Sequence, residues 1–116
     1  MITLEPSHPS GPSEQIRAQL AAMIQGGELA AETKLPPVRQ LAGDLRVAVG
    51  TVAKAYKELE IAGLVRTGRA NGTRVNPGQI LATTLLSEIR GLAGSARTMG
   101  LSLEELQKLV ATAWNS

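Results

Sequence analysis

Between Arg39 and Arg74 the chain carries seven basic residues, Arg39, Arg46, Lys54, Lys57, Arg66, Arg69 and Arg74, against three acidic ones, Asp44, Glu58 and Glu60. That window has a local charge of +4 in a chain whose formal net charge is +2, so the remainder carries −2. The chemistry open to such a set is neutralisation of a polyanion, in which guanidinium and ammonium groups replace the counterions condensed along a phosphate backbone. The overall charge alone would say little; its concentration in one window localises the positive field.

Other kinds of chemistry lack their residues. There is no cysteine, which removes disulfides, thiol catalysis, zinc fingers and iron–sulfur clusters. His8 is the only histidine and sits among prolines and serines. The carboxylates are scattered over expected helix surfaces, so no nucleophile–base pair or metal-ligand set is assembled. The expectation is a protein that is not an enzyme, with no catalytic residue, no metal and no cofactor. No apolar run approaches the roughly 20 residues of a membrane span, and Glu5, Pro6 and Pro9 break any secretory pattern at the amino terminus. A soluble cytoplasmic protein without membrane association is expected.

Hydrophobic spacing shows which elements hold the cations. Val38, Leu41, Ala42 and Leu45 recur at i, i+3, i+4 and i+7 behind the pair Pro36-Pro37, which predicts a short helix. Val49, Val52, Tyr56 and Leu59 predict a second helix, and residues 43–48 between them leave room only for a tight corner. Past Gly63, a helix stop, two β-rich runs, Leu64 to Thr67 and Thr73 to Asn76, flank a basic loop containing Asn71-Gly72, the pattern of a hairpin. This is a helix-turn-helix followed by a wing. Upstream, Pro12-Ser13-Glu14 starts a helix whose stripe is Ile16, Leu20, Met23 and Ile24, and Gly26-Gly27 ends it. Residues 28–35 link it to the motif, with Leu29 and Leu35 tucked into the core. Residues 1–11 are expected to be a flexible arm.

Within this frame the first turn of the second motif helix faces base edges, which makes Val49, Gly50, Thr51, Ala53 and Lys54 the candidate reading residues. Thr51 can donate to phosphate or base, and Lys54 supplies a point charge. Arg39 lies in the first turn of the preceding helix, where a cation gains nothing from the helix dipole, so a phosphate or base contact is its expected role. Arg69, at the wing tip, is the wing cation placed to touch DNA, with Arg66 and Arg74 extending the basic surface.

Several stretches taken together make a resemblance. Ile24-Gln25-Gly26-Gly27-Glu28-Leu29, Lys34-Leu35-Pro36-Pro37-Val38-Arg39-Gln40-Leu41-Ala42, Thr51-Val52-Ala53-Lys54-Ala55-Tyr56-Lys57-Glu58-Leu59 and Gly72-Thr73-Arg74-Val75 resemble the winged helix-turn-helix domain of GntR-family bacterial transcription regulators over about residues 12–76. The resemblance implies that Arg39 contacts DNA, that the helix from Val49 enters the major groove, and that Gly72 lets the wing backbone approach the minor groove. The chain departs from the family's pattern at Ala48-Val49-Gly50, where a serine or asparagine, an arginine or proline, and an asparagine or threonine are usual. Ala48 has no oxygen to cap the helix, and Val49 can pack on a thymine methyl but cannot bond guanine. Pro37 replaces the usual serine after Leu-Pro, and Ser13 replaces an aromatic residue near the start of the first helix.

Asn76-Pro77-Gly78 marks a boundary to a carboxy-terminal module over residues 77–116. Ile80, Leu81, Leu85, Leu86, Ile89, Leu92 and Ala93 predict one amphipathic helix, and Leu103, Leu106, Leu109, Val110, Ala113 and Trp114 predict another. Ser102 and Glu105 have capping-box spacing. Two such broad apolar faces need a further surface, and Leu85, Ile89, Leu92, Leu106, Val110 and Trp114 are the expected dimer interface. A two-helix tail of this size resembles the YtrA-like subgroup, in which the tail dimerises. The fold class expected is mainly α with a small β-hairpin. The function expected is a homodimeric DNA-binding transcription regulator, a repressor on a palindromic operator in double-stranded DNA. The alternative is a winged-helix protein-interaction adaptor without sequence-specific DNA binding. A small-molecule effector is compatible with the tail, and the residues name none.

Overall fold

The computed structural model describes residues 2–68, 72–80 and 83–116. The element order is α1 (Pro12–Gln25), α2 (Val38–Leu45), α3 (Val49–Ile61), β1 (Val65–Gly68), β2 (Gly72–Val75), α4 (Thr83–Thr98) and α5 (Leu103–Trp114). The fold is thus mainly helical with one antiparallel hairpin, and it divides into two compact units, Met1–Leu81 and Ala82–Ser116.

In the first unit α1 and α2 both pack on α3, and β1 follows directly from it. The predicted stripes supply the core: Ile16, Ile24, Val52, Leu59, Val65 and Val75 are fully buried, and Leu20, Leu35, Leu41 and Ala42 nearly so. Val49 leaves its expected stripe. It is the first residue of α3 and is 45% exposed: the chain enters the helix from an extended Ala48, and its first position faces outward. The corner is also shorter than the spacing suggested. Gly43, Asp44 and Leu45 complete the last turn of α2, and the chain turns over Arg46, Val47 and Ala48 alone. Arg46 makes this possible by adopting the left-handed conformation at φ 57°, with Val47 N–H donating to Ala42 O at 3.0 Å. Gly63 does the same at the end of α3 with φ 80°, and Leu64 N–H then reaches Leu59 O at 3.0 Å.

The expected flexible arm is fastened down over its described residues. The Gln15 side chain donates to Glu5 O (3.0 Å) and Ser10 O (2.8 Å) and accepts from Glu5 N–H (2.8 Å). Gln19 makes the same paired bond to Thr3, and Ile2 reaches the core. A buried glutamine and a half-buried one on α1, Gln15 and Gln19, thus supply backbone hydrogen bonds to Glu5 and Thr3 in place of strand pairing. Ser13, where the family's pattern has an aromatic residue, holds a buried hydroxyl without a hydrogen-bond partner among the described residues.

The hairpin register is Val65↔Val75, Arg66↔Arg74, Thr67↔Thr73 and Gly68↔Gly72. Residues 32–35, expected as a plain link, lie along β2 as a third strand-like edge. Leu35 N–H donates to Thr73 O (2.8 Å), Val75 N–H to Thr33 O (2.9 Å) and Glu32 N–H to Val75 O (2.8 Å), which places Lys34 opposite Arg74.

In the second unit Ser102 caps α5 as the spacing predicted: its hydroxyl accepts from Glu105 N–H at 3.1 Å, and the Glu105 carboxylate accepts from Ser102 N–H at 2.9 Å. The Ser102 N–H, and after it the Ser102 hydroxyl, hold the Glu105 carboxyl below the usual carboxylate range. Ile80, expected in the helix, precedes α4 and lies beside Gly27. Leu81 falls outside the described residues.

Candidate nucleic-acid interface

The interface is built from the leading ends of α2 and α3. Neither helix has a side-chain cap and neither has an acidic residue in its first turn, whereas α5 has both a cap and two glutamates there. A helix start holds backbone N–H groups without intrahelical partners, and the positive end of its dipole favours anions. The sequence thus leaves both leading ends of the motif free of any internal anion.

Around these ends the cations are free as well. Arg39 in the first turn of α2, Arg46 at the corner, and Lys54 and Lys57 on α3 are exposed and form no ion pair with a described residue. Gly50 has open space around it, so the backbone at the tip of α3 is accessible. Thr51 is half-buried and its N–H donates to Ala48 O at 3.0 Å, leaving its hydroxyl as the polar group. Ala53 is exposed, and Val52, Tyr56 and Leu59 are buried in the core. On α1, Glu14 is drawn below its ordinary range by its hydrogen bond to Arg17, with a further contribution from Lys54.

Tyr56 supplies a link that hydrophobic spacing could not show. Its hydroxyl donates to Pro36 O at 2.7 Å, tying the middle of α3 to the proline pair that launches α2 and thereby fixing where Arg39 starts. Burial pushes its phenol pKa up to about 12.

The wing corrects the expected basic surface. Arg66 and Arg74 are cross-strand partners, an arrangement that places like charges opposite each other. Glu32 offsets this: its carboxylate pairs with Arg66, and its backbone carbonyl accepts from Arg74 at 2.8 Å. Arg66 also donates to Asn76 Oδ1 at 3.0 Å. Both arginines therefore brace the wing base. Glu32 holds this position at φ 70°, a left-handed conformation that costs a non-glycine residue about 1 kcal/mol. Arg69, expected at the tip, lies outside the described residues. Gly72 has φ 65°, and the space above it is occupied by the stem of Lys34. Sequence reasoning missed Glu32 and Lys34 because residues 28–35 show no long period. The alternation of inward Leu35 with outward Lys34 was the one available signal.

The sequence pattern of the bacterial regulatory proteins of the gntR family matches residues 12–75, which spans all the elements just described from α1 to β2. The chain belongs to the GntR family. It is a DNA-binding transcription regulator with the family's winged fold. It is similar to the HTH-type transcriptional regulator Rv1152 of Mycobacterium tuberculosis, 36% identical over 95 residues, covering 82% of this chain and 78% of that one. It is also similar to the HTH-type transcriptional repressor YtrA of Bacillus subtilis, 31% identical over 116 residues, covering 95% and 89%. Among solved structures, YtrA from Sulfolobus acidocaldarius superposes with a TM-score of 0.63 at 31% identity, covering 79% of this chain and 97% of that one. GntR relatives of this kind are transcription regulators, which are not enzymes. Among the described residues there is no acidic or histidine cluster suited to a metal, and no helix is long and apolar enough to cross a membrane.

Proposed function

We propose that two copies of this chain bind a palindromic operator and repress the adjoining genes in the cytoplasm, through residues 12–76 as the DNA-binding part and 77–116 as the dimerisation part. The observation that carries the reading is the uncovered apolar face of the second unit. Leu85, Ile89, Leu92 and Val110 are each 45–47% exposed and Trp114 is 86% exposed, while Ala96 is the one described residue of that unit that is buried. Leu106, half-buried, completes the face. A two-helix body with so little core stabilises itself poorly alone, and a second copy supplies matching apolar area in an isologous contact. Trp114 packs in that contact; nothing about its surroundings suggests a ligand cage, and the reading calls for no cofactor or effector.

In the first unit, Arg39, Thr51 and Lys54 contact phosphates or base edges, Val49 packs on a thymine methyl, and Gly50 allows close approach of the α3 backbone to the groove floor. A two-fold axis through the tails sets two α3 helices in successive major grooves, about 34–36 Å apart. Support for repression comes from the similar Bacillus subtilis protein YtrA, a transcriptional repressor.

The test is hydroxyl-radical footprinting on a duplex enriched from a random pool by the full chain, with light scattering on the same sample. The expected result is a dimer giving protections related by two-fold symmetry, centred about 10–10.5 base pairs apart. The double variant I89D/V110D should be monomeric and lose the second half of the footprint. A monomeric wild-type chain with a one-sided footprint refutes the proposal.

A further inference from the structure

Lys34 is a cation that neither the charge window nor the family's pattern brought into the interface, and its placement is specific. It pairs with Arg74 across the edge of β2, yet its side chain does not stay over Arg74. It runs diagonally to Gly72, two residues nearer the hairpin tip, so that a methyl group added at residue 72 would sit 2.8 Å from Lys34 Cε and 3.7 Å from Nζ. Strand alternation puts residues 72 and 74 on one face of the ribbon, which makes this the diagonal cross-strand neighbourhood in which long side chains reach each other. The bare backbone of Gly72 is thus the floor on which the lysine stem lies, and it leaves the ammonium at the last described residue before the loop on β2.

The surroundings say what the ammonium is for. Of the other described wing cations, Arg66 pairs with the Glu32 carboxylate and Arg74 is tied down by a hydrogen bond to the Glu32 backbone carbonyl, whereas Lys34 forms neither an ion pair nor a side-chain hydrogen bond with a described residue. Its side chain lines a cleft of about 310 Å³ that runs from Gly72 and Thr73 to Pro36, Pro37 and Val38 at the start of α2, immediately before Arg39. An exposed ammonium on an apolar stem, at the mouth of a cleft whose far end leads to a free arginine, suits one anionic oxygen of a polymer lying across both. We propose that Lys34 contacts a DNA phosphate at the wing, and that residue 72 is glycine to seat the lysine stem as well as to admit DNA backbone. This rests on the DNA-binding reading above and adds one phosphate contact to it.

The test is the salt dependence of binding to a fluorescein-labelled duplex enriched by the wild-type chain, followed by anisotropy from 0.05 to 0.2 M KCl. K34M keeps the stem over Gly72 and removes the charge. Loss of one phosphate contact reduces the slope of log Kd against log salt by about 0.9, so affinity falls about 15-fold at 0.05 M and about 4-fold at 0.2 M. K34Q should show the same change of slope, K34R should restore it, and all three should keep the wild-type Tm. A wild-type slope in K34M overturns the assignment, and so does a loss that is the same factor at every salt concentration, which would mark a packing role. A wild-type chain without salt-sensitive binding would sink the DNA reading itself, a result distinct from either.

Discussion

Helix α3 starts without a cap, and the molecule contains the template for correcting it. Ala48 occupies the cap position with φ −65° and ψ 147°, while Ser102, which caps α5 with a real hydrogen bond, has φ −78° and ψ 162°. The backbone at Ala48 is therefore already shaped for a serine, whose hydroxyl would meet the N–H groups of Gly50 and Thr51. A capping hydroxyl contributes about 0.5–2 kcal/mol over alanine. Thr51 N–H already leans on Ala48 O at 3.0 Å, so the new bond partly replaces an existing one and the lower half of that range applies. At about 0.5–1 kcal/mol, and 4–8 °C per kcal/mol for a domain of roughly this size, Ala48→Ser should raise the Tm by about 2–8 °C. Thermal unfolding followed by far-ultraviolet circular dichroism measures this, with Ala48→Val as the control that adds no acceptor and should gain nothing. An A48S protein with native dichroism and an unchanged or lower Tm would show that the start of α3 is not limited by its missing cap.

Arg39→Ala should weaken binding of an enriched duplex about 8-fold at 0.1 M salt, the value of one phosphate contact, while exposed and unpaired Arg39 leaves stability within about 0.5 kcal/mol. Anisotropy and a dichroism melt on the same preparation check both halves, and unchanged affinity in the folded variant removes Arg39 from the interface. For Tyr56 the folded pKa of about 12 lies above the ordinary phenol value of 10.0, so the unfolded chain releases the proton first. Stability is then level below pH 10 and falls as pH rises from 10 towards 12, by about 1.4 kcal/mol at pH 11. Urea midpoints at pH 9 and 11 should show this loss in the wild type and a smaller one in Tyr56→Phe, which itself starts about 1 kcal/mol lower without the bond to Pro36.

Regular packing was the most legible part of the chain. The stripes of α1, α2 and α3 bury the residues their spacing assigned, because a helix of fixed pitch converts sequence interval directly into a face. The ends were less legible. Val49 shares the interval of the core stripe yet points outward, since a residue at a helix start escapes the face once the chain enters from another direction. The corner at Arg46 was hidden because a left-handed arginine carries no sequence mark of the kind glycine would. The glutamine clamps of Gln15 and Gln19 and the hydroxyl bond of Tyr56 were hidden for another reason: each joins residues 10–20 positions apart, and the partner is a backbone atom that every residue possesses.

Charge shows the same division between what a sequence counts and what a fold uses. The window from Arg39 to Arg74 counts Arg66 and Arg74 as part of a positive surface and leaves out Glu32 and Lys34. In the fold the Glu32 carboxylate pairs with Arg66 and its backbone carbonyl accepts from Arg74, so both side chains are tied to the base of the wing and hold the hairpin against the edge formed by residues 32–35, although only the Arg66 charge is paired. Lys34, on that same edge, keeps its charge and lies over Gly72. Removing the Glu32 side chain would therefore act in two opposed ways, freeing the Arg66 guanidinium for an anion while loosening the edge that carries the lysine; Arg74 keeps its bond to the backbone carbonyl at residue 32. The bracing arginines and Lys34 are linked through one short edge, and the placement of positive charge on the wing follows from backbone pairing more than from composition.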